Sequence, residues 1–362
     1  MKILLVNGTF YPDTNGTITY VVGLALELKK QGHQVSILCG GRKIFRTFEG
    51  INMFMFRKPP IKLDLNKKYE CYRRRFDEKL KEIGTDFDLI ISKTDLFLNQ
   101  LKGVFNSKKI IFVSPGLHDI TKSIGYSDAL TIKRRRKEIQ EGICGLKIIT
   151  LSKVLERQFK ENFELLKIIS IPPGINLKKV EFEKEKQNNL LYVGRVYKEK
   201  NANSIIKSLS LIKQGRLILV GGGKELDEIK DYAKKLGVEK RIDFVGFVQN
   251  PEEFYFESKV FLFPSKYEPF GLTILEAFAA GLPVIAFRPD GKKIITASDE
   301  IIVDGKTGFL VKDEKEMAEK IDLLLKDDKL REKMGKAARK VAEKYSWEKA
   351  AKEILKFAKQ QT

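Results

Sequence analysis

The sequence has few of the side chains that build metal centres and disulfide frameworks. Its 362 residues include three cysteines, one tryptophan and two histidines. Three scattered cysteines (Cys39, Cys71 and Cys144) are too few for a disulfide framework or a thiolate zinc site, and they fit a reducing compartment. His33 and His118 alone cannot form a histidine-rich metal site. We therefore predict that the protein holds no metal ion and no cofactor.

Long hydrophobic runs are also missing. No apolar run approaches the roughly 20 residues that a membrane-spanning helix needs. The apolar stretch at residues 3–6 is too short for the hydrophobic region of a signal peptide, and it predicts a buried strand instead. We expect a cytoplasmic protein.

The sequence does contain a large excess of positive charge. Lysine and arginine number 68 against 48 acidic residues, which gives a net charge of +20. Residues 1–170 carry 31 of the basic and 18 of the acidic side chains, with concentrations at residues 42–81 and 133–137. A basic first half can attract nucleic acid, a phosphorylated acceptor or the anionic inner face of the cell membrane. A lysine-rich surface that contacts only solvent is the alternative interpretation, because the second half is rich in lysine too.

Short apolar runs alternate with longer amphipathic stretches along most of the chain. This alternation predicts an α/β fold in which parallel sheets are flanked by helices, and the length favours two doubly wound units. We predict helices at residues 17–31 and 273–280, and a helical segment at residues 315–359 that is broken near Tyr345. The predicted strands cover residues 2–6, 34–39, 89–92, 109–113, 190–193, 216–220, 241–245, 260–263 and 283–287.

Four segments follow from this pattern. A first Rossmann-like domain is predicted over residues 1–170 and a second over residues 190–340, with a terminal helix over residues 341–362. Residues 171–189 are predicted to link the domains, because the stretch from 177 to 189 is polar and holds ten charged or amide side chains.

The most informative stretch runs from residue 263 to residue 284 (FPSKYEPFGLTILEAFAAGLPV). Pro269 and Gly271 mark a turn between a strand and a helix, and the free backbone N–H groups at the start of that helix form an anion site. Glu268 and Glu276 lie eight positions apart, too far to share a proton or to act as a glycosidase pair. We infer that they hold two ends of an extended ligand; two surface glutamates near a helix start are the alternative.

A second cluster follows the strand predicted at residues 190–193. The strand ends at Gly194, and two cations follow at Arg195 and Lys200. The arginine fork suits phosphate oxygens, whereas lysine supplies a compact point charge. Together with a helix N-terminus, the two cations can stabilise a leaving diphosphate, although their spacing alone is a weak signal.

These motifs resemble those of the retaining glycosyltransferases of family four, which have the GT-B architecture of two Rossmann-like domains facing a central cleft. The resemblance covers most of the chain, and its most specific part is the Glu-x7-Glu block formed by Glu268 and Glu276. Further matches are the glycine loop that ends at Asn15-Gly16, the step at Gly32-His33-Gln-Val35, Pro172-Pro-Gly174, Gly194-Arg195 with Lys200, Val220-Gly-Gly-Gly223, Phe244-Val-Gly246 and Asp304-Gly-Lys-Thr-Gly308.

The resemblance implies a role for each matching residue. Arg195 and Lys200 would bind the donor diphosphate, Glu276 the ribose hydroxyls, and Glu268 the hydroxyls of the transferred sugar. His118 would lie near that sugar, and the implied catalytic set is His118, Arg195, Lys200 and Glu268. The remaining donor contacts would come from Asn15, Gly16, Phe270, Gly271, Leu272 and Thr273.

We therefore expect a retaining, metal-independent glycosyltransferase of the hexosyltransferase type. It would move a sugar from a nucleotide-diphosphate sugar to an acceptor bound by the basic first domain, and the resemblance implies that the terminal helix returns to that domain. The acceptor could be lipid-linked, a saccharide or a small molecule. One alternative is a nucleotide-sugar epimerase of the same fold. Another is a non-enzymatic nucleic-acid-binding protein, which would explain the charge but not the two glutamates, because carboxylates repel phosphate backbones.

Two other motifs point to different chemistry and are interpreted as structural. Asp86-Phe-Asp88 has the Asp-x-Asp spacing of a divalent-metal site, but it precedes an apolar run instead of following one, so we predict a turn at the entry of a strand. Gly221-Gly-Gly223 lacks the full dinucleotide fingerprint and its acidic partner. We predict a tight turn beside the nucleotide site.

Overall fold

The computed structural model describes residues 1–11, 16–59, 65–117, 129–163, 167–177 and 189–360. The chain divides into two compact units. The first unit comprises Met1–Gly174 together with Trp347–Thr362, and the second comprises Ile175–Ser346. Within the described residues, none of the helices has both the length and the apolar character needed to cross a membrane.

The first unit contains a sheet of eight strands. In chain order these are β1 Lys2–Asn7, β2 Gln34–Gly41, β3 Thr47–Phe48, β4 Ile51–Arg57, β5 Leu89–Ser92, β6 Ile110–Val113, β7 Lys147–Thr150 and β8 Lys167–Ser170. Their order across the sheet is β3-β4-β2-β1-β5-β6-β7-β8, and all neighbours are parallel except β3 and β4. The chain order reverses between β1 and β5, and such a reversal opens a crevice beyond the carboxyl ends of the strands.

Helices from both ends of the chain belong to the first unit. They are α1 Gly16–Lys30, α2 Leu65–Ile83, α3 Leu98–Val104, α4 Ala129–Ile143, α5 Lys153–Asn162 and, at the end of the chain, Trp347–Lys359, which we call the terminal helix. The central strands are apolar along nearly their whole length because a parallel sheet is buried on both faces. Aromatic rings fill the space between helices and sheet; the rings of Phe76 and Phe97, for example, stack with centroids 3.9 Å apart.

Two contacts fix the terminal helix to the first unit. The indole of Trp347 lies directly on Gly23 of α1, where a Cβ atom would be 2.2 Å from an indole carbon, so only glycine leaves room for the ring. At the other end of the helix, the Lys147 ammonium donates hydrogen bonds of 2.6 Å to the carbonyl oxygens of Ala358 and Gln360. A cation at this position satisfies carbonyls that have no partner inside the helix.

The second unit contains a fully parallel sheet of six strands and a small ribbon of two. In chain order the strands are β9 Asn189–Val193, β10 Arg216–Val220, β11 Ile242–Gly246, β12 Ser258–Phe263, β13 Tyr267–Glu268, β14 Val284–Phe287, β15 Ile295–Thr296 and β16 Gly308–Val311. The large sheet has the order β11-β10-β9-β12-β14-β16, and β13 pairs with β15. The chain order reverses between β9 and β12.

Seven helices connect or cover the strands of the second unit within its described residues. They are α6 Asn203–Ser210, α7 Leu226–Lys235, α8 Glu252–Glu257, α9 Leu272–Ala279, α10 Ser298–Ile301, α11 Glu314–Lys326 and α12 Asp328–Ala342. One buried cluster joins the sheet to these helices; Leu190 and Leu262 of the sheet share it with Ile206 and Ile321.

The predicted α/β class with parallel sheets is confirmed, and each predicted strand is present to within two residues. The sequence pattern did not predict β4, β7, β8 or β16, nor the two-residue strands β3, β13 and β15. The prediction for residues 315–359 was wrong in one respect, because the helical stretch is also broken at Asp327. The Asp327 side chain accepts a 2.8 Å hydrogen bond from the backbone N–H of Leu330 and so begins a new helix, as N-terminal capping residues do. Of the predicted linker, residues 178–188 lie outside the described residues.

Candidate active site

The loops that follow β9 and β12 lie at the point where the strand order of the second unit reverses. β9 pairs with β10 on one side and with β12 on the other. In open α/β sheets, ligands bind beyond the carboxyl ends of the strands at such a point. Arg195 and Lys200 follow β9, and Glu268 and Gly271 follow β12, so the two sequence clusters meet at one edge of the sheet.

Backbone packing holds the loop after β9 against the loop after β10. The N–H of Val196 donates to the carbonyl of Gly222 at 2.9 Å. Gly221 has a φ of +136°, and a Cβ atom there would lie 1.8 Å from the carbonyl oxygen of Gly194. The three consecutive glycines therefore allow two loops to touch through their backbones.

Two hydrogen bonds also tie the loop after β9 to the loop after β12. The N–H of Lys266 donates to the carbonyl of Glu199 at 2.8 Å, and the Asn201 amide donates to the carbonyl of Pro264 at 3.2 Å. These bonds hold the loop of Lys200, which the sequence predicts to bind a diphosphate, close to the loop of Glu268, which it predicts to bind a sugar.

Both predicted cations have carboxylate partners. The Lys200 ammonium forms a close ion pair with Glu268, and only 14% and 23% of their side chains are exposed. Arg195 is 60% exposed, lies 3.7 Å from the Glu199 carboxylate and stacks over the ring of Tyr197 at 5.1 Å. Lys200 is thus the more desolvated of the two charges, and its interaction with an anion is the less screened by water.

The turn before α9 presents backbone donors at the same edge. Gly271 has a φ of +99°, which favours glycine, and it caps the helix without a side-chain hydrogen bond. Within the described part of the chain, the N–H groups of Leu272 and Thr273 donate to no protein acceptor. Buried Phe270 precedes them. The helix start therefore has the free donors and the dipole that suit an anion.

Glu276 lies one turn further along α9 and has a buried partner. The hydroxyl of Tyr255 donates a 2.7 Å hydrogen bond to Oε2 of Glu276. Burial raises the pKa of the Glu276 carboxyl, and the hydrogen bond from Tyr255 partly offsets that increase. A second buried hydroxyl, that of Tyr192, donates to the carbonyl of Arg195 at 2.7 Å.

Three predicted site residues belong to the first unit, and one of them can be described. Gly16 is the first residue of α1. Asn15 and His118 lie outside the described residues, so their implied roles stay predictions. The loop that leads to His118 begins after β6, where the N–H of Gly116 donates to the Ser114 hydroxyl at 3.1 Å.

A buried lysine supports the start of that loop. Lys93 is 2% exposed and donates a 2.9 Å hydrogen bond to the carbonyl of Ser114. Its ammonium also lies 4.8 Å from the ring of Tyr20, whose own buried hydroxyl has no hydrogen-bond partner among the residues described. Burial lowers the pKa of the Lys93 amine to about 7.

The Asp-x-Asp motif has a structural role at the entry of β5. Oδ2 of Asp88 accepts a 2.7 Å hydrogen bond from the backbone N–H of Lys2, and the Asp86 carboxylate pairs with the Lys2 ammonium. Among the residues described, no three histidine, cysteine or acidic side chains are grouped so that they could hold a metal ion.

The sequence analysis missed Tyr192, Tyr255 and Lys93. Tyr192 lies inside the predicted strand that leads to Arg195. A tyrosine in a buried strand directly before the Arg195 loop could therefore have been recognised from the sequence. Nothing local distinguishes Tyr255 or Lys93, because their partners are distant in sequence.

Comparisons with known proteins show which family and which folds this chain is similar to. The family described as glycosyl transferases group 1 matches residues 175–341. A Haemophilus influenzae protein described as an uncharacterized glycosyltransferase is 27% identical over 353 residues, which cover 94% of this chain and 95% of that protein.

Two solved structures share the fold over the full length. Sucrose-phosphate synthase from Thermosynechococcus elongatus has a TM-score of 0.84 at 22% identity, covering 98% of this chain and 97% of its own. Anabaena HepE in complex with UDP-glucose has a TM-score of 0.77 at 18% identity, covering 98% of each chain. The predicted GT-B class, with two doubly wound units, is confirmed.

Proposed function

Because residues 175–341 match the family described as glycosyl transferases group 1, we propose that the protein is a retaining enzyme that transfers a sugar from a nucleotide-diphosphate sugar to an acceptor. The observation that carries the proposal is the meeting of Lys200, Glu268 and the free amides of α9 at the strand-order reversal of the second unit. A cation, a helix N-terminus and a carboxylate in contact with the cation suit a ligand that joins a diphosphate to a polyhydroxyl sugar.

We propose the same division of roles that the family resemblance implies. Arg195, Lys200 and the amides of Leu272 and Thr273 bind the diphosphate, and Glu276 binds the ribose. The Glu268 carboxylate pairs with the Lys200 ammonium. A bound diphosphate supplies Lys200 with a second anion, so the Glu268 carboxylate can turn its lone pairs to the hydroxyls of the sugar.

The proposed reaction proceeds on one face of the sugar. The bond between the anomeric carbon and the diphosphate oxygen breaks, and its electron pair leaves with the diphosphate. The acceptor hydroxyl forms the new bond on the same face, and its proton passes to the leaving phosphate oxygen. The main contribution of the protein is then electrostatic stabilisation of the departing diphosphate by donors that are already in place.

A uridine diphosphate sugar is the first donor to test, because HepE, which shares the fold, is known in complex with UDP-glucose. We propose that the first unit binds the acceptor, since Arg195, Lys200, Glu268 and Glu276 lie in the second. An anionic lipid surface is a second candidate partner. Arg74 and Lys137 are 72% and 77% exposed, whereas Arg73 pairs with Glu138 and Arg75 donates to a backbone carbonyl.

Nucleotide binding gives the direct test. Thermal unfolding is measured with UDP, GDP and ADP and with their glucose conjugates. A ligand at 100 times its dissociation constant stabilises the folded protein by about 2.7 kcal/mol, so one base series should raise the melting temperature clearly. No shift with any nucleotide would refute the proposal. A donor that isomerises without acceptor would favour the epimerase alternative.

Lipid binding needs a separate measurement. The protein is sedimented with phosphatidylglycerol vesicles and with phosphatidylcholine vesicles at low and high salt. Binding only to the anionic vesicles at low salt supports a membrane-surface acceptor, because charge attraction at a surface is screened by salt. Equal recovery in all four supernatants removes that candidate.

A further inference from the structure

The carboxylate of Glu276 has one oxygen held by a hydrogen bond and one oxygen that accepts none from the described residues. Oε2 accepts the 2.7 Å hydrogen bond from Tyr255. Among the residues that the structure describes, no other group donates a hydrogen bond to the Glu276 side chain. Oε1 can therefore accept a hydrogen bond from a ligand. The hydrogen bond at Oε2 fixes the direction in which Oε1 points.

We propose that Tyr255 is a positioning residue of the nucleotide site, which orients Glu276 so that its free oxygen selects ribonucleotides over deoxyribonucleotides. The inference rests on the proposed function, in which Glu276 binds the donor ribose. It identifies Tyr255 as the residue that holds the carboxylate in place. It also identifies a ribose hydroxyl as the group of the ligand whose recognition depends on that placement.

The Tyr255 side chain is itself rigidly placed. It is 3% exposed on α8, and its ring stacks on that of Phe261 in β12, with centroids 5.6 Å apart and planes 28° apart. The Ser258 hydroxyl donates a 2.7 Å hydrogen bond to the carbonyl of Phe254, which fixes the junction of α8 and β12. A tyrosine side chain has only two rotatable bonds that move the ring, so this stacking and the burial of the ring leave its oxygen in one position.

The charges around the pair make this hydrogen bond important. Glu252, on the same helix as Tyr255, raises the pKa of both Tyr255 and Glu276, and burial acts in the same direction. The phenol donor is the feature that favours the ionised carboxylate. Without it, Glu276 would be easier to protonate and free to rotate, and both changes would weaken its acceptance of a ribose hydroxyl.

Tyr255→Phe removes the hydroxyl and keeps the stacked ring, so it separates orientation from packing. Binding of UDP, 2′-deoxy-UDP and 3′-deoxy-UDP is measured by calorimetry on wild type, Tyr255→Phe, Glu276→Gln and the double variant. We expect wild type to prefer UDP over at least one deoxy analogue. Tyr255→Phe should weaken UDP about tenfold, the effect of losing one hydrogen bond to a charged group, and leave that analogue nearly unchanged.

The other variants decide between orientation and general packing. In the Glu276→Gln background, Tyr255→Phe should have little further effect on the affinity for UDP. Tyr20→Phe is the matched control, since it removes a buried hydroxyl that has no hydrogen-bond partner among the described residues. It should leave all three affinities at the wild-type values.

Three outcomes would count against the inference. If Tyr255→Phe weakens all three nucleotides equally, Tyr255 acts only through packing. If the variant retains the wild-type preference, the hydroxyl does not orient the carboxylate. If Tyr255→Phe fails to fold, Glu276→Gln still decides whether the carboxylate selects ribose, and unchanged selectivity refutes the inference. Wild type that binds no nucleotide would refute the proposed function as well.

Discussion

Lys200 and Glu268 neutralise each other across two loops that belong to neighbouring strands, and both side chains are largely buried. An ion pair of this kind is stable only while each charge keeps a partner. The pair therefore does two things in one place. It links the two loops, and it keeps a desolvated cation at the proposed diphosphate site.

Glu268→Gln tests whether the carboxylate competes with the diphosphate for Lys200. The variant should bind UDP about tenfold more tightly than wild type, or roughly 1.4 kcal/mol, because Lys200 no longer has an anionic partner. Sugar transfer should nevertheless fall about 10²–10³-fold, as expected for loss of a preorganised contact. Calorimetry and steady-state kinetics measure the two effects, and Lys200→Met, which should lose both binding and turnover, is the reference. Weaker UDP binding by Glu268→Gln would contradict the competition.

Arg195→Ala should lower turnover about 10²–10³-fold and leave the melting temperature unchanged. The side chain is 60% exposed, so its removal costs little packing, whereas a leaving diphosphate would lose a forked donor. Arg216→Ala is the matched control, since Arg216 is a similarly exposed arginine at the opposite end of a neighbouring strand. Turnover by Arg195→Ala close to that of Arg216→Ala would remove Arg195 from the site.

Lys93 should make the stability of the first unit depend on pH in the alkaline range. The pKa of its amine is about 7 in the folded protein and near 10.5 in the unfolded chain. Between these values the unfolded state binds the extra proton, so the free energy of unfolding rises with pH. Below pH 7 the buried amine is charged and the penalty is largest. The increase in the free energy of unfolding of Lys93→Met over wild type should therefore be largest near pH 7 and should shrink toward pH 10.

Melting curves between pH 6.5 and pH 10 measure this difference directly. Lys108→Met, at an exposed position of the same unit, is the control and should track wild type throughout. A constant offset between Lys93→Met and wild type across the pH range would mean that the amine does not titrate there.

Local patterns were sufficient for much of the fold and for part of the site. Alternating apolar runs placed the strands because each parallel strand is buried on both faces. Gly271 and the glutamates beside it were visible because a turn and a helix start leave a signature within a few residues. The break at Asp327 was missed because apolar residues continue at helical spacing on both sides of it.

Contacts between distant segments could not be predicted in this way. Tyr255 lies 21 positions before Glu276, and the intervening strand brings them together only when the sheet forms. Lys93 and Ser114 likewise follow two neighbouring strands, β5 and β6. A hydrogen bond of this kind depends on strand order and on helix placement. The spacing of residue types along the chain predicts neither of them.

Gly23→Ala should weaken the packing of the terminal helix against α1. The added methyl group would lie 2.2 Å from the indole of Trp347, so the ring must move, and overpacking of this kind costs about 1–3 kcal/mol. Trp347 is the single tryptophan of the chain, so its fluorescence reports the contact directly, and we expect a red-shifted emission and a lower melting temperature.

Gly103→Ala is the matched control. Gly103 also lies in a helix of the first unit, but its Cβ would meet no atom within 4 Å, so alanine there should stabilise the helix by up to about 1 kcal/mol. Unchanged emission and equal stability in the two variants would show that the indole does not pack on Gly23 in solution.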